Sequence, residues 1–283
     1  MLKLALTVVV LAVALVAIWH GNNMVEVTRY RVELSDPPSP VESEAKPAGL
    51  RILQISDLHG KRFGRGSQRL LDEIDRLDYD VIAITGDIIT GGPLARGRRT
   101  ALQLAAELVE RAPVFYTPGN HETTSRQFPG LEDGLRDLGV QVLRRDSVEI
   151  DIRGRRYVIL GLDDVKFFDM DPEAYSAALS ELVNSAPGQS SVPRILVSHR
   201  PNLLDIYAAS GVQLVLTGHV HGGQFRIPGV GGLIGPDDLL LPKYDAGVFR
   251  KGETTMIVSR GLGPSAIPVR INNRPELVLI EIA

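Results

Sequence analysis

Five times along the chain a short apolar run gives way to a polar, mostly glycine-flanked ending. These are QISDLHG with Asp57 and His59, AITGDII with Asp87, YTPGNHE with Asn120 and His121, LVSHRP with His199, and LTGHVHGG with His219 and His221. Uninterrupted apolar runs of this length suit strands buried on both faces, which belong to sheets covered by helices. In such folds ligand sites collect where the strands end. Five of the six histidines lie in these endings, and only His20 does not.

Singly, each ending has a bland explanation. Asp-x-His is often a surface pair, Gly-Asp after a strand is usually a turn, and Asn120 after Gly119 suits a left-handed turn position. His199 alone could be a satisfied core histidine, and His121 an ordinary loop residue. Together they point to a shared target for imidazole nitrogen. On an extended strand, residues i and i+2 point the same way, so Asp57 with His59, and His219 with His221, are expected to aim at one point while Val220 faces the core. Glycines at 86, 119, 218 and 222 would let the backbone turn or approach a ligand closely. The chain has no cysteine, which excludes disulfides and thiolate sites. The remaining N/O donor set suits Zn, Mn or Fe.

Between the endings, strands and helices alternate. Buried strands are predicted at Arg51–Ser56, Asp80–Thr85, Pro113–Pro118, Arg194–His199 and Gln213–His219, and helices at Ser67–Leu77, Thr100–Arg111, Leu131–Leu138 and Pro172–Ser185. Val140–Leu143, Ser147–Ile152 and Arg156–Leu160 read as antiparallel strands with a turn at Gly154, and Glu276–Ile282 as a last strand. The expectation is an α/β fold: a sheet covered by helices, joined by a second sheet. A net charge of −3 gives no basic face, so no nucleic-acid partner is expected.

The N-terminus stands apart. From Leu4 to Trp19 every residue except Thr7 is apolar, with Lys3 before the run. The length is close to that of a membrane span, Lys3 can snorkel and Trp19 suits the interface. A cleaved signal peptide is the rival reading. However, Ala12-Val13-Ala14 lies inside the apolar run and no convincing cleavage site follows Trp19. The flanks favour a single-pass anchor over residues 1–20, with Lys3 inside and the folded part on the extracytoplasmic side. A strand over Val25–Leu34 and a proline-rich connector over Ser35–Gly49 complete a segment 21–49, leaving 50–283 as the main domain.

The ordered set Asp-x-His, Gly-Asp, Gly-Asn-His-Glu, His and Gly-His-x-His resembles the calcineurin-like metallophosphoesterases over roughly Leu50 to Ala283. The ending GHVHGGQ and the later SRGLG (Ser259–Gly263) resemble the membrane-tethered bacterial branch, which includes phosphodiesterases and relatives of UDP-2,3-diacylglucosamine pyrophosphatase. The resemblance implies two mixed β-sheets packed as a sandwich flanked by helices. It also implies two divalent metal ions: Asp57, His59 and His221 on one, Asn120, His199 and His219 on the other, with Asp87 bridging both. His121 would stay off the metals and face the substrate. Two such ions with two carboxylates leave about two positive charges, which suits a phosphate ester or pyrophosphate. Glu122 is expected to orient a neighbouring group; Arg200 and Arg260 are either phosphate contacts or ordinary charges.

Gly229–Phe249 carries Leu233, Ile234, Leu239, Leu240 and Leu241 among glycines and prolines. It is either a packed loop or an apolar flap meeting a lipid substrate or bilayer. The leading expectation is a phosphodiesterase or pyrophosphatase at the membrane, acting on a lipid-linked substrate. The alternatives are a broad phosphomonoesterase or protein phosphatase, and a non-catalytic metal-bound envelope binding protein.

Overall fold

Ile52 and Leu53 sit side by side on one strand and feed two different cores, because successive residues of a strand face opposite ways. The same split separates Ile195 from Leu196. Strands with both faces apolar need cover on both, and that requirement generates the architecture.

In this computed structural model residues 2–34, 49–188, 191–236, 240–264 and 268–283 are described; in the first helix the described side chains are Lys3, Leu6, Thr7, Val9, Ala12, Val16 and those from Ile18 on. The connector expected over Ser35–Gly49 falls, up to residue 48, outside the described residues, as does Leu239. The chain begins α1 (Leu2–Asn23), β1 (Glu26–Val32), β2 (Arg51–Ile55), α2 (Gln68–Ile74), β3 (Val81–Ile84), α3 (Arg98–Val109) and β4 (Val114–Tyr116). It continues α4 (Asn120–Thr124), α5 (Phe128–Asp137), β5 (Gln141–Val142), β6 (Asp146–Ile152), β7 (Arg155–Gly161), α6 (Pro172–Ser185) and β8 (Arg194–Val197). It closes with α7 (Leu204–Ser210), β9 (Leu214–Thr217), the short pair β10 (Arg226–Ile227) and β11 (Gly231–Gly232), β12 (Gly247–Lys251), β13 (Thr254–Val258) and β14 (Glu276–Ile282).

One sheet has the order β1-β14-β2-β3-β4-β5, the other β12-β13-β9-β8-β7-β6. Each is mixed: β2 to β5 run parallel while β14 opposes β2, and β7, β8, β9 and β13 run parallel with antiparallel strands at both edges. Ile52, Val81, Ala83 and Phe115 of the first sheet meet Tyr157, Ile195, Leu214 and Ile257 of the second in a central core. The outer face of the first sheet is closed by α2, α3 and α5, and that of the second by α6 and α7. The result is the expected two-sheet sandwich flanked by helices. Helix α6 occupies the predicted range, started by Pro172 and by Asp171, whose carboxylate accepts from the Glu173 and Ala174 backbone N–H groups.

The strand expected near Val25–Leu34 pairs with β14 over seven residues, Glu26 opposite Glu276 through Val32 opposite Ile282, so it belongs to the first sheet. The apolar N-terminal run lies in α1. Among the described residues no helix is long and apolar enough to cross a membrane. In the Gly229–Phe249 segment Leu233 and Ile234 are half-buried, whereas Leu240 and Leu241 are exposed.

Candidate metal centre

The carboxyl ends of β2, β3 and β4 in one sheet, and of β8 and β9 in the other, open onto the same place. All eight residues singled out in the sequence gather there. Asp57, His59 and His221 bring donor atoms within 4.8 Å of one another; so do Asp87, His199 and His219, and so do His59, Asp87 and His121. Asn120 joins the second group, its Oδ1 lying 3.0 Å from His199 Nε2. Asp87 Oδ2 is central: it lies 3.3 Å from His199 Nε2 and 3.9 Å from both His59 Nε2 and His121 Nε2.

The way the pairs converge differs from the strand-period expectation. β2 ends at Ile55 and β9 at Thr217, before any of these donors appears. Asp57, His59, Asp87, His219 and His221 adopt left-handed backbone conformations, with φ between 49° and 68°. Val220 is buried as expected, but with helical rather than extended dihedrals. Left-handed kinks at both members of each pair, not pleat alternation, fold the pair inward. Such conformations are costly for non-glycine residues and persist where surrounding contacts hold them. Glycines supply the room: a Cβ on Gly218 would lie 1.9 Å from Ser56 Oγ and 2.2 Å from Asp57 Oδ2. Gly86, at φ +84°, abuts the Gly119 backbone in the same way.

Hydrogen bonds fix which atom each group offers. The Thr85 carbonyl lies 2.7 Å from His199 Nδ1, which therefore carries a proton and leaves Nε2 as the atom turned to the site. That atom faces two acceptors, Asn120 Oδ1 and Asp87 Oδ2. His59 Nε2 and His221 Nε2 similarly face each other at 3.1 Å. Imidazole nitrogens, an amide oxygen and carboxylate oxygens gathered this closely are a donor set that suits a divalent cation. His121 is different. The Gly91 backbone N–H donates to its Nδ1 at 2.9 Å, so a neutral ring carries its proton on Nε2, the atom facing Asp87. Its side chain is also 40% exposed, against 4% or less for His59, His199 and His221.

Electrostatics agree. Burial pushes His59 down to about 4 and holds His221 well below the usual imidazole range, so both are neutral. Burial, with Asp87 nearby, pushes Asp57 up to about 6 against the pull of His199. Burial also opposes charge on His199, yet Asp87 and Asp57 outweigh it and raise that ring to about 10. Asp87 is held well below the carboxylate range despite its burial, because His199, His121 and His59 surround it. The cluster thus favours positive charge beside Asp87. Glu122 anchors the Asp87 turn: its carboxylate accepts from the N–H groups of Asp87, Ile88, Ile89 and Gly119 at 2.9–3.3 Å.

Two arginines left open by the sequence are now placed. Arg200 is buried; its Nε donates to both Asp164 oxygens, and its Nη1 lies 3.1 Å from His219 Nε2. Arg260 instead pairs with Glu276 and Glu26, tying β14 to β1. Arg270 and Asn273 escaped sequence reasoning. Arg270 is 1% exposed with Nη2 3.4 Å from His221 Nδ1, and Asn273 donates to the His221 carbonyl. Neither follows an apolar strand or a glycine, so no local signal marked them.

The two-sheet fold with a donor cluster at converging strand ends defines a class, and comparison with known proteins names it. Residues 50–223 match the calcineurin-like phosphoesterase family, and the chain belongs to that family, whose members hydrolyse phosphoester bonds with divalent metals. It is 28% identical over 243 residues to phosphodiesterase YaeI of Escherichia coli, covering 83% of each chain. It is 29% identical to an uncharacterized metallophosphoesterase of Aquifex aeolicus, covering 86% of this chain and 89% of that one. A Danio rerio transmembrane protein with a metallophosphoesterase domain is 27% identical over 88% of this chain; the chain spans 58% of that relative's length. The crystal structure of TT1561 from Thermus thermophilus shares the fold with a TM-score of 0.50 at 13% identity, covering 76% of this chain and 90% of that one.

Proposed function

We propose that the chain is a two-metal hydrolase of phosphodiester or pyrophosphate bonds, acting at the membrane on a lipid-linked substrate. Asp57, His59 and His221 would hold one divalent ion, Asn120, His199 and His219 the other, with Asp87 shared and Mn, Zn or Fe as the metals. The observation that carries this reading is the position of Asp87 Oδ2 among three imidazole Nε2 atoms from both sheets. When bound, such an ion pair polarises phosphoryl oxygens and lowers the pKa of a water. The chain's own groups do the rest. Thr85 sets the His199 tautomer, Ser56 and the His219 N–H hold the Asp57 carboxylate, and Glu122 holds the backbone of Asp87. His121, with Nδ1 taken by Gly91, presents an Nε2–H that would hydrogen-bond a phosphoryl or leaving oxygen.

The membrane part of the reading is supported by the apolar run Leu4–Trp19 and by the Danio rerio relative, which is named as a transmembrane protein. Residues 1–20 would form a single-pass anchor and residues 21–49 a strand and connector. Residues 50–283 would form the catalytic domain on the extracytoplasmic side, sharing its first sheet with β1. Hydrolysis of bis-p-nitrophenyl phosphate and p-nitrophenyl phosphate by metal-free protein given Mn or Zn tests the reaction class. Diester turnover exceeding monoester turnover is expected. Preference for the monoester would make the chain a phosphomonoesterase, and no turnover of either would oppose the hydrolase reading.

A further inference from the structure

We propose that the cleft between α1 and the Arg270–Arg274 segment takes the alkyl chain of an amphiphilic phosphodiester; this rests on the phosphodiesterase reading above and adds where the chain binds. The cleft has a volume of about 1120 Å³, slightly above the range of about 300–1,000 Å³ for small-molecule sites. Ala12, Val16 and Ile18 of α1 form one wall, Pro228 and Ile271 the other. Ala12, Val16 and His20 recur at four-residue intervals, so one face of α1 runs along the cleft from apolar to polar. Val16 and Ile271 are 66% and 49% exposed, an apolar lining that no described side chain closes off.

The polar end of the cleft is built against the candidate metal centre. Gly21 lets α1 come close, since a Cβ there would sit 3.1 Å from the Arg270 carbonyl oxygen. Asn22 Oδ1 accepts from the Arg270 N–H at 3.2 Å, and Lys61 Nζ donates to the Asn22 carbonyl. Arg270 lines the cleft, and its buried side chain runs from there to His221. Its other bonds go to the carbonyls of Gly263, Arg260 and Asn273, and among the described residues no carboxylate lies within ion-pair distance of it. A buried cation with no carboxylate in ion-pair contact thus stands between the apolar walls and the metal-ligating histidines. A molecule with an alkyl chain leading to a phosphate matches that order of surfaces. A small polar diester would gain nothing from the walls.

The test uses the full chain in nanodiscs with Mn and the p-nitrophenyl diesters of methyl, butyl and octyl phosphate. The expected result is kcat/KM rising with chain length, up to about fourfold per buried methylene. In Ile271→Glu and in the space-filling Ile271→Trp the octyl-to-methyl ratio should fall toward one. Comparing the ratio with the wild type cancels partitioning into the disc. Equal kcat/KM for the three esters, or an unchanged ratio in both variants, overturns the cleft assignment and leaves the phosphodiesterase reading intact. Absence of turnover on all three overturns the phosphodiesterase reading and this inference with it.

Discussion

At the scale of single residues, the site separates groups that offer lone pairs from one that offers a proton. His199 has its Nδ1 committed to the Thr85 carbonyl, whereas His121 has its Nδ1 committed to an N–H donor, and this reverses the role of the remaining nitrogen. His121→Ala should therefore lower turnover about 10²–10⁴-fold while metal content by mass spectrometry is unchanged. Loss of metal in that variant would contradict its assigned role. Glu122→Gln removes acceptor strength from the Asp87 turn and should cost about 10–100-fold in metal affinity or activity, read by calorimetric titration. The identities of the donors were legible in the sequence because histidine has few reasons to recur at strand ends, and it drew attention to the aspartates and asparagine at those ends, which alone would read as turn residues. Their conformations were not. Pattern reasoning assumes extended backbone, and five of these residues take left-handed dihedrals that only contacts distant in sequence hold in place. Arg270 was illegible for a related reason: its partners are mostly backbone carbonyls, which leave no trace in residue type.

At the scale of elements, tight turns after β2 and β9 decide whether the donors meet. Gly218→Ala would force a methyl into Ser56 and the Asp57 carboxylate, and overpacking of this kind costs about 1–3 kcal/mol. The expected outcome is a lower urea midpoint and a larger loss of activity than of stability, because the displaced atoms belong to the site. At the same end of the first sheet, Arg260 neutralises the buried Glu276 on β14 and reaches Glu26 on β1. Arg260→Leu should cost about 3–5 kcal/mol by urea titration, since it leaves the buried Glu276 carboxylate unpaired, and should lower turnover as well, because the neighbouring Gly261 packs on Asp57. The main strands, and α6 in full, were readable from apolar runs and caps. Helix α7 was not anticipated, because Leu204–Ser210 is too short for its periodicity to stand out from the apolar strands around it.

At the scale of the whole molecule, the two sheets share a core on one face and meet at the metal centre at their strand ends. Metal bound there joins β2, β3 and β4 of one sheet to β8 and β9 of the other, so it should stabilise the fold as well as the reaction. An ion at about one hundred times its Kd adds about 2.7 kcal/mol, and each kcal/mol moves Tm by about 2–4 °C for a chain of this size. Chelation should then lower Tm by roughly 5–10 °C per ion, reversibly on adding Mn or Zn. That both sheets are mixed was implied by the family resemblance, whereas apolar periodicity could not give it. β1 pairs with β14 across nearly the whole chain, and periodicity carries no information about partners so far apart. The most direct test is titration of metal-free protein with Mn while following bis-p-nitrophenyl phosphate hydrolysis, in the wild type and in Asp87→Asn. Turnover should appear only as the second ion binds, and the variant should lose both tight binding and turnover. Full turnover without metal, or undiminished turnover in Asp87→Asn, would contradict the two-metal account.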